Sequence, residues 1–208
     1  MWKTIFGSER QPKKLPSWVK KFAGSIFGIT VILFLIGLTE ESHRRKQLQT
    51  AMDRFPAEIS DVHKLREYVV LFTKSLWPEE MNSNDKDKKI MGVVAMKGDS
   101  GNFTLITHIR MGTVLSNHYA VAGILYDVKS FLEKAMSDPR FDNVESFNFQ
   151  AYSILVDQYG RESEKAVAWI EIPQTVAKRV IWKRTTTDSF SELLQNEGKF
   201  KLHSALME

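Results

Sequence analysis

The five histidines are the natural candidates for catalysis or metal binding in this sequence. They are spread along the chain at His43, His63, His108, His118 and His203. No two have the spacing of metal ligands on one helix face, and none lies beside a plausible nucleophile. The chain contains no cysteine, which excludes thiolate chemistry and disulfides. His108, on a predicted strand, is the one histidine that could face a cavity, and an ordinary half-buried histidine is the alternative.

Other residue types that often mark active sites fall in predicted turns. Gly98 and Gly101 lie between two predicted strands and do not precede a helix, so they do not form a phosphate-binding loop. The acidic residues between positions 78 and 89 belong to a polar loop. We therefore expect no catalytic, cofactor-binding or metal-binding residues, no cofactor and no enzyme activity.

An uncharged stretch from Phe22 to Leu38 predicts a single transmembrane helix, because it is long enough to cross a bilayer at about 1.5 Å per residue. A cleaved signal peptide and a buried helix are the alternatives, but no small-residue cleavage site follows. Six basic residues precede the stretch and three follow it, which places the N-terminus in the cytoplasm. We expect a single-pass cell-membrane protein with its C-terminal domain outside the cytoplasm.

The distribution of charge argues against direct nucleic-acid binding. The whole chain carries a net charge of +4, yet residues 1–21 hold six basic residues and one acidic residue. The remainder is therefore close to neutral. The basic excess of residues 1–21 is explained by the orientation of the chain in the membrane and by contact with anionic lipid.

Two amphipathic helices are predicted after a charged stalk that ends near Pro56. The first is capped by Ser60 and runs to Leu76. Its narrow apolar seam favours packing across a sheet of the same chain, and a coiled coil is the alternative. The second begins at Ser116 or Asn117 and reaches Met136. The seam of the first consists of Val62, Leu65, Val69, Phe72 and Leu76, and that of the second of Val121, Ile124, Leu125, Val128, Leu132 and Ala135.

The remaining elements are predicted strands and a short helix. Alternating residues predict a hairpin of Ile90–Met96 and Phe103–Ile109. Val144–Asp157 changes its apolar parity, and a β-bulge near Ala151 would restore a single buried face. The later expected elements are strands at Ala166–Ile172 and Thr175–Thr185, a helix starting at Asp188 or Ser189, and a loose tail over residues 199–208. Trp169 and Trp182 are expected in the core, with a surface rim as the alternative for Trp182.

This layout resembles the VirB-eight family of bitopic scaffold subunits of type IV secretion systems, in its Gram-positive, PrgL-like conjugation form. The resemblance rests on Lys13–Lys14, the span Phe22–Leu38, the two helices and the bent strand around Ala151. It implies an α+β fold, with one transmembrane helix followed by a nuclear-transport-factor-two-like cone of helices on a bent antiparallel sheet. The expected parts are a cytoplasmic tail (1–21), the transmembrane helix (22–38), a stalk (39–56), the cone domain (57–198) and a C-terminal tail (199–208).

The resemblance implies a structural role and supplies no functional residues. A member of this family is a homo-oligomerising scaffold in a conjugative DNA-transfer channel that contacts other channel proteins. One alternative is a bitopic assembly protein of a type II secretion or type IV pilus system, whose ferredoxin-like domain would show two αββ halves. Another is a sensor or enzyme that uses the cavity of the cone. A cavity filled by Phe103, Leu105, Phe147 and Phe149 would exclude the latter.

Overall fold

A computed structural model describes residues 41–77, 89–111, 117–156 and 159–207 of the chain. The predicted cytoplasmic tail and the predicted span Phe22–Leu38 lie outside these residues. No helix in the described ranges is long and apolar enough to cross a membrane. The chain divides into two compact units, residues 1–44 and 45–208, and the second is the subject of the following description.

Helices form where the sequence patterns predict them. Residues 41–52 are helical and are named α1. Helix α2 spans Val62–Leu76, and α3 spans Asn117–Ala135. The N-cap of α2 is Asp61, one residue after the predicted Ser60, and its carboxylate accepts the Lys64 N–H at 2.8 Å. Two further helices follow late in the chain, the short α4 at Gln174–Ala177 and α5 at Thr187–Glu197.

Five strands form one mixed sheet in the order β1-β2-β3-β4-β5. All neighbours are antiparallel except β2 and β3, which are parallel. The expected antiparallel sheet is therefore wrong at this pair. The physical reason is α3, which returns the chain from the end of β2 to the start of β3. The strands are β1 Ile90–Lys97, β2 Phe103–Arg110, β3 Val144–Val156, β4 Glu162–Pro173 and β5 Lys199–Leu202.

Two predictions for the last part of the chain are wrong. The expected strand Thr175–Thr185 is instead α4 followed by a 3₁₀ turn at Trp182–Arg184. Its apolar residues Val176 and Val180 are four apart, a spacing that fits a helical turn as well as a strand. The expected loose tail contains β5, which pairs with β4 and extends the sheet.

The helices pack against one face of the sheet. In α2 the seam residues Leu65, Val69 and Phe72 are buried, while Val62 and Leu76 are partly buried against the same core. The prediction that this seam packs within the chain is confirmed. Helices α3 and α5 contribute buried side chains to the same cluster, and β2 contributes alternate residues from Phe103 to Ile109.

A β-bulge lies where the sequence predicts one, but the extra residue is in the neighbouring strand. The pairing moves from Ala151↔Ala168 to Tyr152↔Ala166, which leaves Val167 of β4 without a partner in the register. Val167 and Ala168 are both buried, so the bulge turns two successive β4 side chains inward. The Val167 carbonyl accepts the His203 N–H at 2.8 Å.

The expected single buried face of β3 is wrong beyond this bulge. Ile154 and Val156 are 59% and 63% exposed. Residues 153–156 pair only with β4 among the described strands, because the pairing with β2 ends at Tyr152. β3 itself contains no extra residue, so Ile154 and Val156 keep the alternation of Gln150 and lie on the opposite face from the buried Phe149 and Ala151.

A buried polar cluster ties α2 to the turn that follows α3. The fully buried Tyr68 donates its hydroxyl proton to Asp138, whose carboxylate also accepts the Arg140 backbone N–H at 3.0 Å. The Arg140 guanidinium lies 5.1 Å from the Tyr68 ring centroid. Burial and the adjacent Asp138 carboxylate raise the pKa of Tyr68 well above its ordinary value, so the phenol remains a donor.

The cap of α2 generates a pH-dependent prediction. Asp61→Ala should lower the free energy of unfolding of a fragment of residues 45–208, whereas Asp61→Asn, which keeps an acceptor, should lower it less. The Lys64 N–H lowers the pKa of Asp61 below its usual 3.8. A lowered folded-state pKa stabilises the fold above the unfolded value and loses that effect as pH falls through the folded value. Urea titrations at pH 7 and pH 3 should therefore show a smaller difference between wild type and Asp61→Ala at pH 3. An equal difference at both pH values would contradict the cap assignment.

Candidate functional site

The sheet face that turns away from the helices is the candidate functional surface, and we call it the open face. It carries the residues that alternate with the buried ones, such as Thr104, Ile106, His108 and Arg110 of β2. The pairing registers align one transverse row across all five strands. From β1 to β5 this row consists of Gly92, His108, Gln150, Trp169 and Lys201.

A hydrogen-bonded chain links polar residues of β2 and β3 on the open face. The Tyr152 hydroxyl donates to Gln150 Oε1 at 3.0 Å and lies 3.2 Å from His108 Nδ1. The direction of the bond between the hydroxyl and His108 Nδ1 depends on the tautomer of the imidazole. The two rings lie 5.6 Å apart. This arrangement orients His108 as part of a polar surface and gives it no nucleophile to activate.

Ion pairs link some of the charged side chains of different strands on the open face. Arg110 Nε lies 2.8 Å from Glu164 Oε1, across the β3 strand between them. Lys199 of β5 lies 3.0 Å from Glu171 of β4. Both pairs are partly exposed, so each contributes little to stability and mainly balances charge on the face. These two ion pairs therefore add no net charge to the open face.

Apolar side chains remain exposed at several places on the open face, including Ile154 and Val156 at the end of β3. Val94 and Met96 of β1 are 41% and 47% exposed at one edge of the sheet. Trp169 is 37% exposed and lines a shallow groove of about 450 Å³ together with Gln150 and Lys201. Aromatic and aliphatic side chains on a solvated sheet face are typical of surfaces that contact another protein.

A second groove, of about 800 Å³, runs along the outer side of α3. Its lining includes Tyr126, Trp77 and the exposed Ile181. An ion pair between Lys89 and Asp127, at 2.6 Å, lies on one wall. The Lys89 ammonium also lies 5.1 Å from the Trp77 ring, and both contacts fix that wall of the groove.

The structure keeps the histidines apart. His43, His63 and His118 are exposed on helices, and His203 accepts the Ala205 N–H in a terminal turn. His108 points away from the core, so it does not face a cavity. No group of three metal-ligating side chains occurs in the described ranges.

The interior of the domain is filled by large side chains. Phe103, Leu105, Phe147 and Phe149 are at most 2% exposed, and they occupy the space that a cavity of the cone would need. The hypothesis of a sensor or enzyme that uses such a cavity stays an alternative prediction.

The two strand-region tryptophans have different environments. Trp182, in the 3₁₀ turn, is buried, donates its indole N–H to the Ala177 carbonyl at 3.1 Å and packs against Phe190. The core prediction is thus confirmed for Trp182 and wrong for Trp169, which lies on the open face. Sequence reasoning missed Trp169 and Tyr152 as surface residues. A signal for the exposure of Trp169 was available in its own strand. Glu171 lies on the same face of β4, and so does Glu164 once the bulge is counted.

Comparison with protein-family models gives no match, and comparison with curated proteins and with solved structures gives none either.

The different environments of the tryptophans generate a stability prediction. In the fragment of residues 45–208, Trp182→Ala should lower the free energy of unfolding by about 3 to 5 kcal/mol, because it empties a packed site. Trp169→Ala should cost about 1 kcal/mol or less, since one side of its ring faces solvent. Urea titration monitored by circular dichroism measures both values. Equal losses would show that a packed layer covers Trp169.

Proposed function

We propose that this protein is a structural scaffold subunit of a type IV secretion channel for conjugative DNA transfer. It acts through homo-oligomerisation and contacts with other channel proteins, without catalysis, and is anchored by the single span Phe22–Leu38 with its folded domain outside the cytoplasm. The observation that carries the proposal is the asymmetry of the domain. One face of the sheet is filled by helices, and the other exposes Val94, Met96 and Trp169 for contact.

The cone-shaped fold is part of this proposal. Its support is the long α2 lying on the sheet, the second helix α3 beside it and the bulge that bends the sheet at Val167. The parallel pair of β2 and β3 is a departure from an antiparallel cone. The proposal therefore depends on the layout of the whole chain more than on this sheet.

A second candidate is favoured by a specific observation. The element order contains two αββ units, α2–β1–β2 and α3–β3–β4, followed by α5 and β5. Two such units are the pattern expected for the ferredoxin-like domain of a bitopic assembly protein in type II secretion or type IV pilus systems. Both candidates assign the folded domain to assembly, and they differ in the machine that it serves.

Deleting the gene tests the first candidate. Conjugative transfer to recipient cells should fall to background in the deletion strain, while nicking of the transferred DNA at its origin in the cytoplasm continues. Expression of the full-length chain from a plasmid should restore transfer, and a chain lacking residues 22–38 should not. Transfer at the wild-type frequency in the deletion strain would contradict the proposal. Loss of protein secretion or of pili with normal transfer would support the second candidate.

A further inference from the structure

The two edges of the sheet differ in their protection against pairing with another strand. At one edge, β5 is only four residues long, and its lysines Lys199 and Lys201 alternate with apolar residues. Short edge strands with lysines resist pairing with another chain. At the other edge, β1 has eight residues, and its segment from Gly92 to Met96 contains no charge and no proline. The β1 edge therefore lacks the protection that β5 has.

The free side of β1 is regular over most of its length. A bulge at Met91 interrupts the register between Ile90↔Ile109 and Gly92↔His108. From Gly92 to Lys97, every residue pairs in sequence with β2. On the opposite side of β1, no strand pairs with it among the described residues. A straight, apolar strand of this kind is a template for a further antiparallel strand.

We propose that β1 pairs with β1 of a second copy of this chain, antiparallel, around a two-fold axis at Val94. This inference rests on the homo-oligomerisation in the proposed function and names its surface. In this register Val94 lies opposite Val94 of the second copy, and Gly92 lies opposite Met96. The open faces of the two copies then join into one continuous surface.

The side chains of β1 complement one another in this register. Each large Met96 lies opposite a glycine, so the two-fold axis creates no steric conflict on the open face. On the inner face, Val93 lies opposite Ala95, and both are apolar. Lys97, the one charged residue of β1, lies opposite Met91, so no like charges meet. A second copy thus satisfies size and charge from Gly92 to Met96, the part of the pair that lies clear of the bulge at Met91.

The pairing is expected to be weak between freely diffusing copies. One strand pair covers much less than the about 800 Å² per partner that stable interfaces bury. Copies held in one membrane by their anchors have a high local concentration, which strengthens weak contacts without new interactions. The edge would therefore operate inside an assembly.

Single-cysteine cross-linking tests the register, since the native chain has no cysteine. The full-length chain carrying Val94→Cys, treated with copper phenanthroline in its membrane before solubilisation, should form a disulfide-linked dimer. Directly opposite residues in antiparallel strands have Cα atoms about 4.5 to 5.5 Å apart, within the range of a disulfide. Ile154→Cys is the matched control, because Ile154 is exposed on the distant end of β3. Its dimer yield should be at least about fivefold lower.

Mixing two variants tests the predicted partners Gly92 and Met96. Chains with Gly92→Cys and chains with Met96→Cys should cross-link to each other much more than either does alone. A Cβ at Gly92 would meet its nearest neighbour, His108, at 4.0 Å, an ordinary contact, so this variant should fold. No dimer with Val94→Cys, or an equal yield with Ile154→Cys, would overturn the proposal.

Measuring the self-association of lysine variants tests the β1 interface separately from the proposed scaffold function. Val94→Lys places two ammonium groups opposite each other and should weaken self-association of the full-length chain by at least about fivefold in sedimentation equilibrium. Ile154→Lys should leave it unchanged. If Val94→Lys assembles as wild type does, the β1 edge is not the interface. The scaffold function would then be tested by the transfer assay alone.

Discussion

The aromatic packing around Phe131 is the interaction on which the rest of this domain depends. Phe131 of α3 packs edge-on against Phe72 of α2, with ring centroids 5.1 Å apart, and against Phe149 of β3 at 5.2 Å. Phe141, in the turn after α3, lies 4.9 Å from Phe72 and 6.1 Å from Phe147. These aromatic contacts join both long helices to the centre of the sheet in one layer. The position of α3 in that layer also requires the parallel pairing of β2 and β3.

One-sided packing determines what the other side of the sheet can do. Since large side chains pack the covered side of the sheet, the exposed surfaces of the domain include the open face, the β1 edge and the groove along α3. The open face combines internally satisfied polar groups, such as Tyr152 with Gln150, and exposed apolar groups, such as Trp169. A surface of this composition is compatible with water in the free domain and with burial against a partner protein in a complex. It suits a protein whose role is to hold other proteins in position.

Much of the layer that forms the core could be predicted from the sequence, because its apolar periods are long and regular. The seams of α2 and α3 and the alternation in β2 each span several turns or residue pairs, and tertiary packing agrees with them. The alternation of β2 and β3 does not show that they pair in parallel, since period-two alternation is the same in both kinds of sheet, but the predicted helix between them was an available signal. The helix at Gln174–Ala177 was missed because Val176 and Val180 fit either period.

The open face was the least predictable part of the protein. Its composition depends on the exact residue at which β4 bulges, and no local signal distinguishes Val167 in β4 from a residue near Ala151 in β3. The exposed Ile154 and Val156 illustrate the same limit. Their β propensity is high, but their burial depends on whether the extra residue of the bulge lies in β3 or in β4.

Amide hydrogen exchange of the full-length chain at low and high protein concentration tests most directly whether the domain assembles through its sheet. We expect the amides of residues 92–96 that point away from β2 to exchange more slowly at high concentration, while those of β5 and of the outer side of α3 are unchanged. Unchanged exchange in β1 together with new protection on the helices would contradict it.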